Sequence, residues 1–201
     1  MIKFSNYNRV KRYIKRRVFA FLYGGAFKEF GKKVSIVDPD IIEGEEFISL
    51  EDGVSFNSGV WMSALKTHKN NPSIMIKEGT TIGRFAHIIA IDEIVIENNV
   101  LIADKVYISD NIHSFNKIDT PIIHQEIEFK GQVSIGENSW IGENVSIIGA
   151  KIGKHCVIGA NSVVNRSIPN HSVAVGIPAK VIKRYNFATK RWERQMQEES
   201  F

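Results

Sequence analysis

Residues 76–112 read IKEGTTIGRFAHIIAIDEIVIENNVLIADKVYISDNI. Within this stretch Ile76, Ile82, Ile88, Ile94, Val100, Val106 and Ile112 fall six residues apart without a miss, and all are β-branched. The same count runs earlier through Ile36, Ile42, Ile48, Val54 and Val60. It runs later through Ile135, Ile141 and Ile147 and, after one five-residue step, through Ile152, Ile158 and Val164. An α-helix repeats near 3.6 residues and a strand near 2, so a strict six fits neither. It fits short parallel strands wound into a β-helix.

Three six-residue segments make one triangular coil of about eighteen residues. On that count Ile76, Ile94 and Ile112 stack in one column and Ile82 and Val100 in another, giving about six coils. Glycine follows several of the counted positions, at Gly83, Gly136, Gly142, Gly153 and Gly159. There it is expected to supply the backbone freedom of tight corners. Small residues recur four past the counted position, at Thr80, Ala86, Ser139, Cys156 and Ser162. The count breaks at 63–72 and at 113–131, where polar residues and proline collect, and both breaks predict loops. The second is expected to project. Loops on a rigid scaffold commonly carry function.

The predicted organisation is a basic helical segment over 1–33, the β-helix over 34–182 and a C-terminal helix over 183–201. Residues 1–33 hold ten Lys or Arg against Glu29 alone, a net +9, leaving −5 for the rest of a chain whose net charge is +4. Two readings fit this basic start. Its apolar face caps the open end of the coil with the charges in water, as solenoid ends require. Alternatively the run Arg9–Arg17, followed by Val18–Tyr23, lies peripherally on the anionic inner membrane surface. Groove-reading and base-stacking motifs are absent, so nucleic acid is not an expected partner. No apolar stretch reaches the ~18–20 residues of a membrane span. The single Cys156 excludes an internal disulfide and suits a reducing compartment, so a cytoplasmic setting is expected, at most at the membrane surface.

The run Val133–Gly142, continued by Val157–Val164, Ile168–Pro169 and Gly176–Lys183, resembles the hexapeptide-repeat acyltransferases. The likeness is greatest to the O-acetyltransferases of O-antigen and capsule polysaccharide. It extends through Arg191–Glu193 and is weaker over the N-terminal segment. It implies a mainly β, left-handed parallel β-helix. It also implies acetyl-CoA as donor, a saccharide acceptor, no metal, and a homotrimer with active sites between subunits. By resemblance, His113, directly after Ile112 at the root of the long loop, stands where the family carries its catalytic histidine. Neutral imidazole can take a proton from a sugar hydroxyl near pH 7. Many relatives place a second histidine two residues earlier, where this chain has Asn111.

A base histidine commonly leans on an acceptor at its other nitrogen. Asp110, Asp92 and Glu126 are candidates, although acids at corners also serve as turn formers. His87 is a candidate substrate contact, or else a solvated corner residue. Trp140 should point outward, either as a platform for a sugar ring or pantetheine arm or as an interface filler. By resemblance Gly142 and Ala160 meet the pantetheine arm, and Asn165, Arg166, Lys180 and Lys183 lie near the nucleotide phosphates. Such cations suit a polyanion. Cys156 sits in a small-residue slot and reads as core, so direct transfer without an acyl-enzyme is expected.

Three rivals remain. An N-acetyltransferase of an amino-sugar nucleotide would use the same base. A zinc enzyme on this scaffold would need three converging histidines. His68, His87, His113, His124, His155 and His171 contain no His-x4-His pair. A non-catalytic scaffold or binding protein would leave the loop histidine and the C-terminal motif without a role.

Overall fold

In a computed structural model, residues 3–67 and 70–195 are described. Three parallel faces make a triangular coil. The first runs through Glu29–Phe30, Ile48–Leu50, Ser73–Ile76, Glu93–Ile96, Val133–Ile135 and Lys151–Ile152. The second runs through Ser35–Ile36, Ser55–Phe56, Thr81–Ile82, Leu101–Ile102, Trp140–Ile141, Val157–Ile158 and Ser172–Gly176. The third runs through Ile41–Glu43, Trp61–Ala64, His87–Ala90, Tyr107–Ser109, Ser146–Ile148 and Val163–Val164. Parallel faces with this period fit a left-handed β-helix. The first face begins at Glu29, whose strand pairs with Ser49–Leu50, so the coil starts inside the segment assigned to the basic N-terminus.

The interior is filled by pairs of inward residues two apart, as strand pleating requires. Ile74 and Ile76, Thr80 and Ile82, Ala86 and Ile88, Ile94 and Ile96, Val100 and Ile102, and Val106 and Ile108 are all buried. Their registers correct the expected columns. Ile76 aligns with Leu50 and Ile96, Ile94 with Ile74 and Val133, and Ile82 with Ile102. Ile112 leaves the core altogether. The turn from Ile82 to Ile102 takes twenty residues and that from Ile141 to Ile158 seventeen, not a uniform eighteen.

Both breaks in the count leave from the corner between the third and first faces. The first is 65–72, of which His68 and Lys69 lie outside the described residues. The second is a built arm. Asn111–His113 pairs antiparallel with Ile127–Phe129, and Ile122–His124 forms a short 3-10 turn between them. Gln125 closes the arm by donating to the carbonyls of Lys117 (2.8 Å) and Thr120 (2.7 Å) and accepting from Lys117 N (3.1 Å).

The C-terminal helix does not form within the described residues. Ala179–Asn186 folds back antiparallel on Ser172–Gly176, and Arg191–Arg194 pairs with Lys183–Asn186 in turn. The last turn of the coil presents unpaired backbone along the second face, and covering it outweighs the helix preference of the Arg- and Glu-rich run.

The N-terminal helix, Phe4–Tyr23, reverses the expected cap. It meets the coil through Asn8, Arg12, Lys15 and Phe19. Arg12 Nη2 donates to Asn57 Oδ1 and Lys15 Nζ to Asp38 Oδ1, both at 2.5 Å. Phe19 packs on Phe27 at the core's edge. Tyr23 packs on Phe19, while Tyr7, Val10, Ile14, Val18 and Phe21 are exposed.

Candidate active site

Asp110 roots the arm. Its buried carboxylate accepts from Ile91 N (3.0 Å), Asp92 N (2.8 Å) and Asn111 Nδ2 (2.8 Å), and its carbonyl accepts from Lys130 N (2.7 Å). Each of these partners lies at the corner or the arm root, so Asp110 is a structural staple and does not orient His113. Asn111 is likewise anchored, donating also to the Ile89 carbonyl at 3.3 Å. Asp92 accepts from Asn70 Nδ2 at 2.9 Å and joins the 65–72 loop to this corner.

Directly beyond that root, His113 is exposed, opposite Ile127 in the arm's ladder. The arm and the 65–72 loop border a cavity of about 860 Å³. Lys66, Thr67, Asn70, Ile91, Asp92 and Glu126–Phe129 line it. Polar and apolar groups thus mix along the strand that pairs with His113, as a saccharide-sized site requires.

His87 sits elsewhere, on the outer side of the third face. Its ring stacks on Trp61 (centroids 4.2 Å) and meets Tyr107 edge-on (5.3 Å). Burial holds its pKa below the ordinary histidine value, and Nε2 is buried without a partner among the described residues. Trp61 and Tyr107 escaped the sequence reading. The signal was present, since His87 and Tyr107 occupy the same rung twenty residues apart, but an eighteen-residue coil misaligns them.

On the second face Trp140 is 50% exposed and aligns with Leu101 and Val157. One coil edge beyond it, Gly142 stacks on Ala160. A Cβ at Gly142 would lie 2.6 Å from Ala160 N. The glycine is required by this close approach and not by an unusual φ; positive φ falls instead on residues such as Asn138, Asn144 and Asn161. Ala160 is exposed, and its N–H has no acceptor among the described residues. Lys180 pairs with Val175 on the same face and Lys183 with Val173. Asn165 and Arg166 lie at a different corner, after Val163–Val164. The four phosphate candidates are therefore split between two sides of the coil, because the chain folds back along the second face.

Residues 132–166 match the family described as the hexapeptide repeat of succinyl-transferase. WbbJ of Escherichia coli strain K12, described as a lipopolysaccharide biosynthesis O-acetyl transferase, is 37% identical over 153 residues. That alignment covers 73% of this chain and 77% of WbbJ. The chain belongs to the hexapeptide-repeat acetyltransferases. Galactoside O-acetyltransferase of the same strain is 37% identical over 105 residues, covering 49% of this acetyltransferase and 48% of the relative. Among solved structures, an N-acyltransferase of Bacillus cereus, AntD, in complex with dTDP and 3-hydroxybutyryl-CoA, superposes with a TM-score of 0.69. It is 19% identical, covering 84% of this chain and 89% of its own, and shares the fold. A maltose O-acetyltransferase from Clostridium difficile 630 is 28% identical with a TM-score of 0.53, covering 73% of this chain and 70% of its own.

Within the acetyltransferase, Cys156 is buried and its thiol donates to the Pro169 carbonyl at 3.1 Å. Burial pushes its pKa up, which disfavours the thiolate a nucleophile needs. The one chain leaves His113 on the arm and Trp140 on another face of the coil.

Proposed function

We propose that this acetyltransferase moves an acetyl group from acetyl-CoA to a sugar hydroxyl of a surface polysaccharide, O-antigen or capsule, or of its precursor. The observation that carries the reading is the exposed His113 at the end of the arm's first strand, paired with Ile127, which lines a cavity of saccharide size. The likeness to WbbJ supports the acceptor class. The donor reading is supported by the acyl-CoA held by AntD on the same fold.

His113 imidazole takes the proton of the acceptor hydroxyl as its oxygen attacks the thioester carbonyl. The C–S bond breaks and the coenzyme leaves as its thiol, the proton returning from His113. The second-face edge fits the donor. Trp140 offers a flat apolar wall, Ala160 an unengaged N–H, and Lys180 and Lys183 charges for phosphates, with Gly142 keeping the edge free of side chains. Backbone N–H groups at such an edge stabilise a developing oxyanion.

His113 and Trp140 belong to different faces, so a complete site takes the arm of one subunit and the second face of another. Exposed Phe115, Ile118 and Ile123 on the arm support such a contact. The family resemblance makes the assembly a homotrimer in this reading, with the cytoplasm as its setting. No described helix is long and apolar enough to cross a membrane.

The test is His113→Ala. Because His113 is exposed, its removal leaves no core cavity. Acetyl transfer should fall about 10²- to 10⁴-fold or further with unchanged thermal unfolding. Near wild-type turnover in the variant would remove His113 from the chemistry. Amino-sugar nucleotides offered beside hydroxyl acceptors separate O- from N-transfer, the alternative that the fold shared with AntD keeps in view.

A further inference from the structure

The N-terminal helix is attached the wrong way round for a water-facing cap. Its coil-facing stripe is polar over its first three turns, tied by Lys15 to Asp38 and Arg12 to Asn57, and turns apolar only at Phe19, which packs on the core's edge. Its outer stripe, Tyr7, Val10, Ile14, Val18 and Phe21, is apolar. All five are between 49% and 88% exposed. Their steps of three and four residues place them on one side of the helix. Phe4 and Leu22 are exposed as well, just past Lys11 on the side toward the coil.

Charge says what covers this stripe. Phe4–Tyr23 holds six Lys or Arg and no acid. Among the described residues Lys15 is the only one of them in an ion pair. Lys11 and Arg17 stand three residues before and after Ile14, about 60° to either side of the stripe's centre. Two copies packed stripe to stripe would bring Lys11 and Arg17 of each helix together with no helix acid between them, so self-association is disfavoured. The helix also starts without a side-chain cap and with no acid in its first turn. Lys3 at the N-cap position opposes the helix dipole, and nearby anions relieve this.

We propose that this helix docks the protein on a lipid surface rich in anionic headgroups. The stripe enters the acyl boundary, and Lys11 and Arg17 reach the phosphates from its two flanks. The inference is independent of the role given to His113. Of the two readings of the basic N-terminus, the packing of its polar side on the coil selects the membrane surface.

The experiment is co-sedimentation of the full chain with vesicles of phosphatidylcholine mixed with phosphatidylglycerol, against phosphatidylcholine alone. Wild type should bind the mixed vesicles at least tenfold more tightly, and added salt should weaken it. Ile14→Glu/Val18→Glu should lose at least tenfold, and so should Lys11→Glu/Arg17→Glu. Both pairs are exposed, so circular dichroism and thermal unfolding should match wild type. Binding that survives Ile14→Glu/Val18→Glu would mean bare charge attraction and overturn the proposal, as would no binding by wild type. A change of oligomeric state in that variant, read by light scattering without lipid, would show the stripe to be a subunit contact and overturn it equally.

Discussion

The carboxylate of Asp110 binds two layers of the molecule, receiving backbone N–H groups from Ile91 and Asp92 below it and the amide of Asn111 beside it. Asp110→Asn turns one accepting oxygen into a donor that faces other donors. Stability should drop by about 2–3 kcal/mol, measured by urea unfolding; an unchanged midpoint would deny the staple. His87 makes a second prediction. Burial lowers its pKa, so the unfolded chain takes up the proton more readily. Its contribution is intact above the unfolded value of about 6.5 and is lost as pH falls through the depressed folded one. Melting temperatures should therefore drop more between about pH 7 and pH 5 in wild type than in His87→Phe, whose ring cannot titrate. Equal drops would show that this ring is not the group responsible. At this scale the sequence was half legible. The position of His113 at the root of the break was legible, and the role proposed for it came from the family resemblance, but an acid's partners depend on which corner lies underneath, and Asp110 gave no sign of its donors.

Elements are where the six-residue count both succeeded and misled. Ile76, Ile82 and Ile88 are the second members of their inward pairs, whereas Ile94, Val100 and Val106 are the first members. Two additional residues between Ile88 and Ile94 shift the phase by two. Since both members of a pair are hydrophobic, the count passes over the shift without a visible gap. The period therefore identifies the architecture and loses the register. The corner glycines were found correctly and explained wrongly. Gly142→Ala would push a methyl group against Ala160 N, 2.6 Å from the Cβ position, and should cost about 1–3 kcal/mol by overpacking. Gly25→Ala, which meets nothing within 4 Å, should be close to neutral in the same denaturation series. Similar losses at both would show that the close approach to Ala160 is not what sets the cost at Gly142, since an unfolded-chain effect of Gly→Ala stabilises. The C-terminal strands were illegible because Arg191–Arg194 gains its conformation by pairing with Lys183–Asn186, a strand that is itself held on the coil edge at Ser172–Gly176 and that no local propensity announces.

At the scale of the whole molecule, a single chain separates the exposed arm from the Trp140 face. Light scattering of the purified protein should return the mass of three chains, and a stable, active monomer would exclude a shared site. The wound interior also imposes a rule on change. Chain length varies only at the corner between the third and first faces. That corner holds the 65–72 loop, the two additional residues before Ile94 and the arm, while the other two corners keep their spacing through these same turns. Asn111–His113 and Ile127–Phe129 join the arm to itself at its root, and Gln125 closes the segment beyond them. Residues 114–126 thus form a cassette. A segment of different length or composition can be grafted there with His113 still at its threshold, so what the arm meets can diverge, in nature or by design, without reopening the problem of folding.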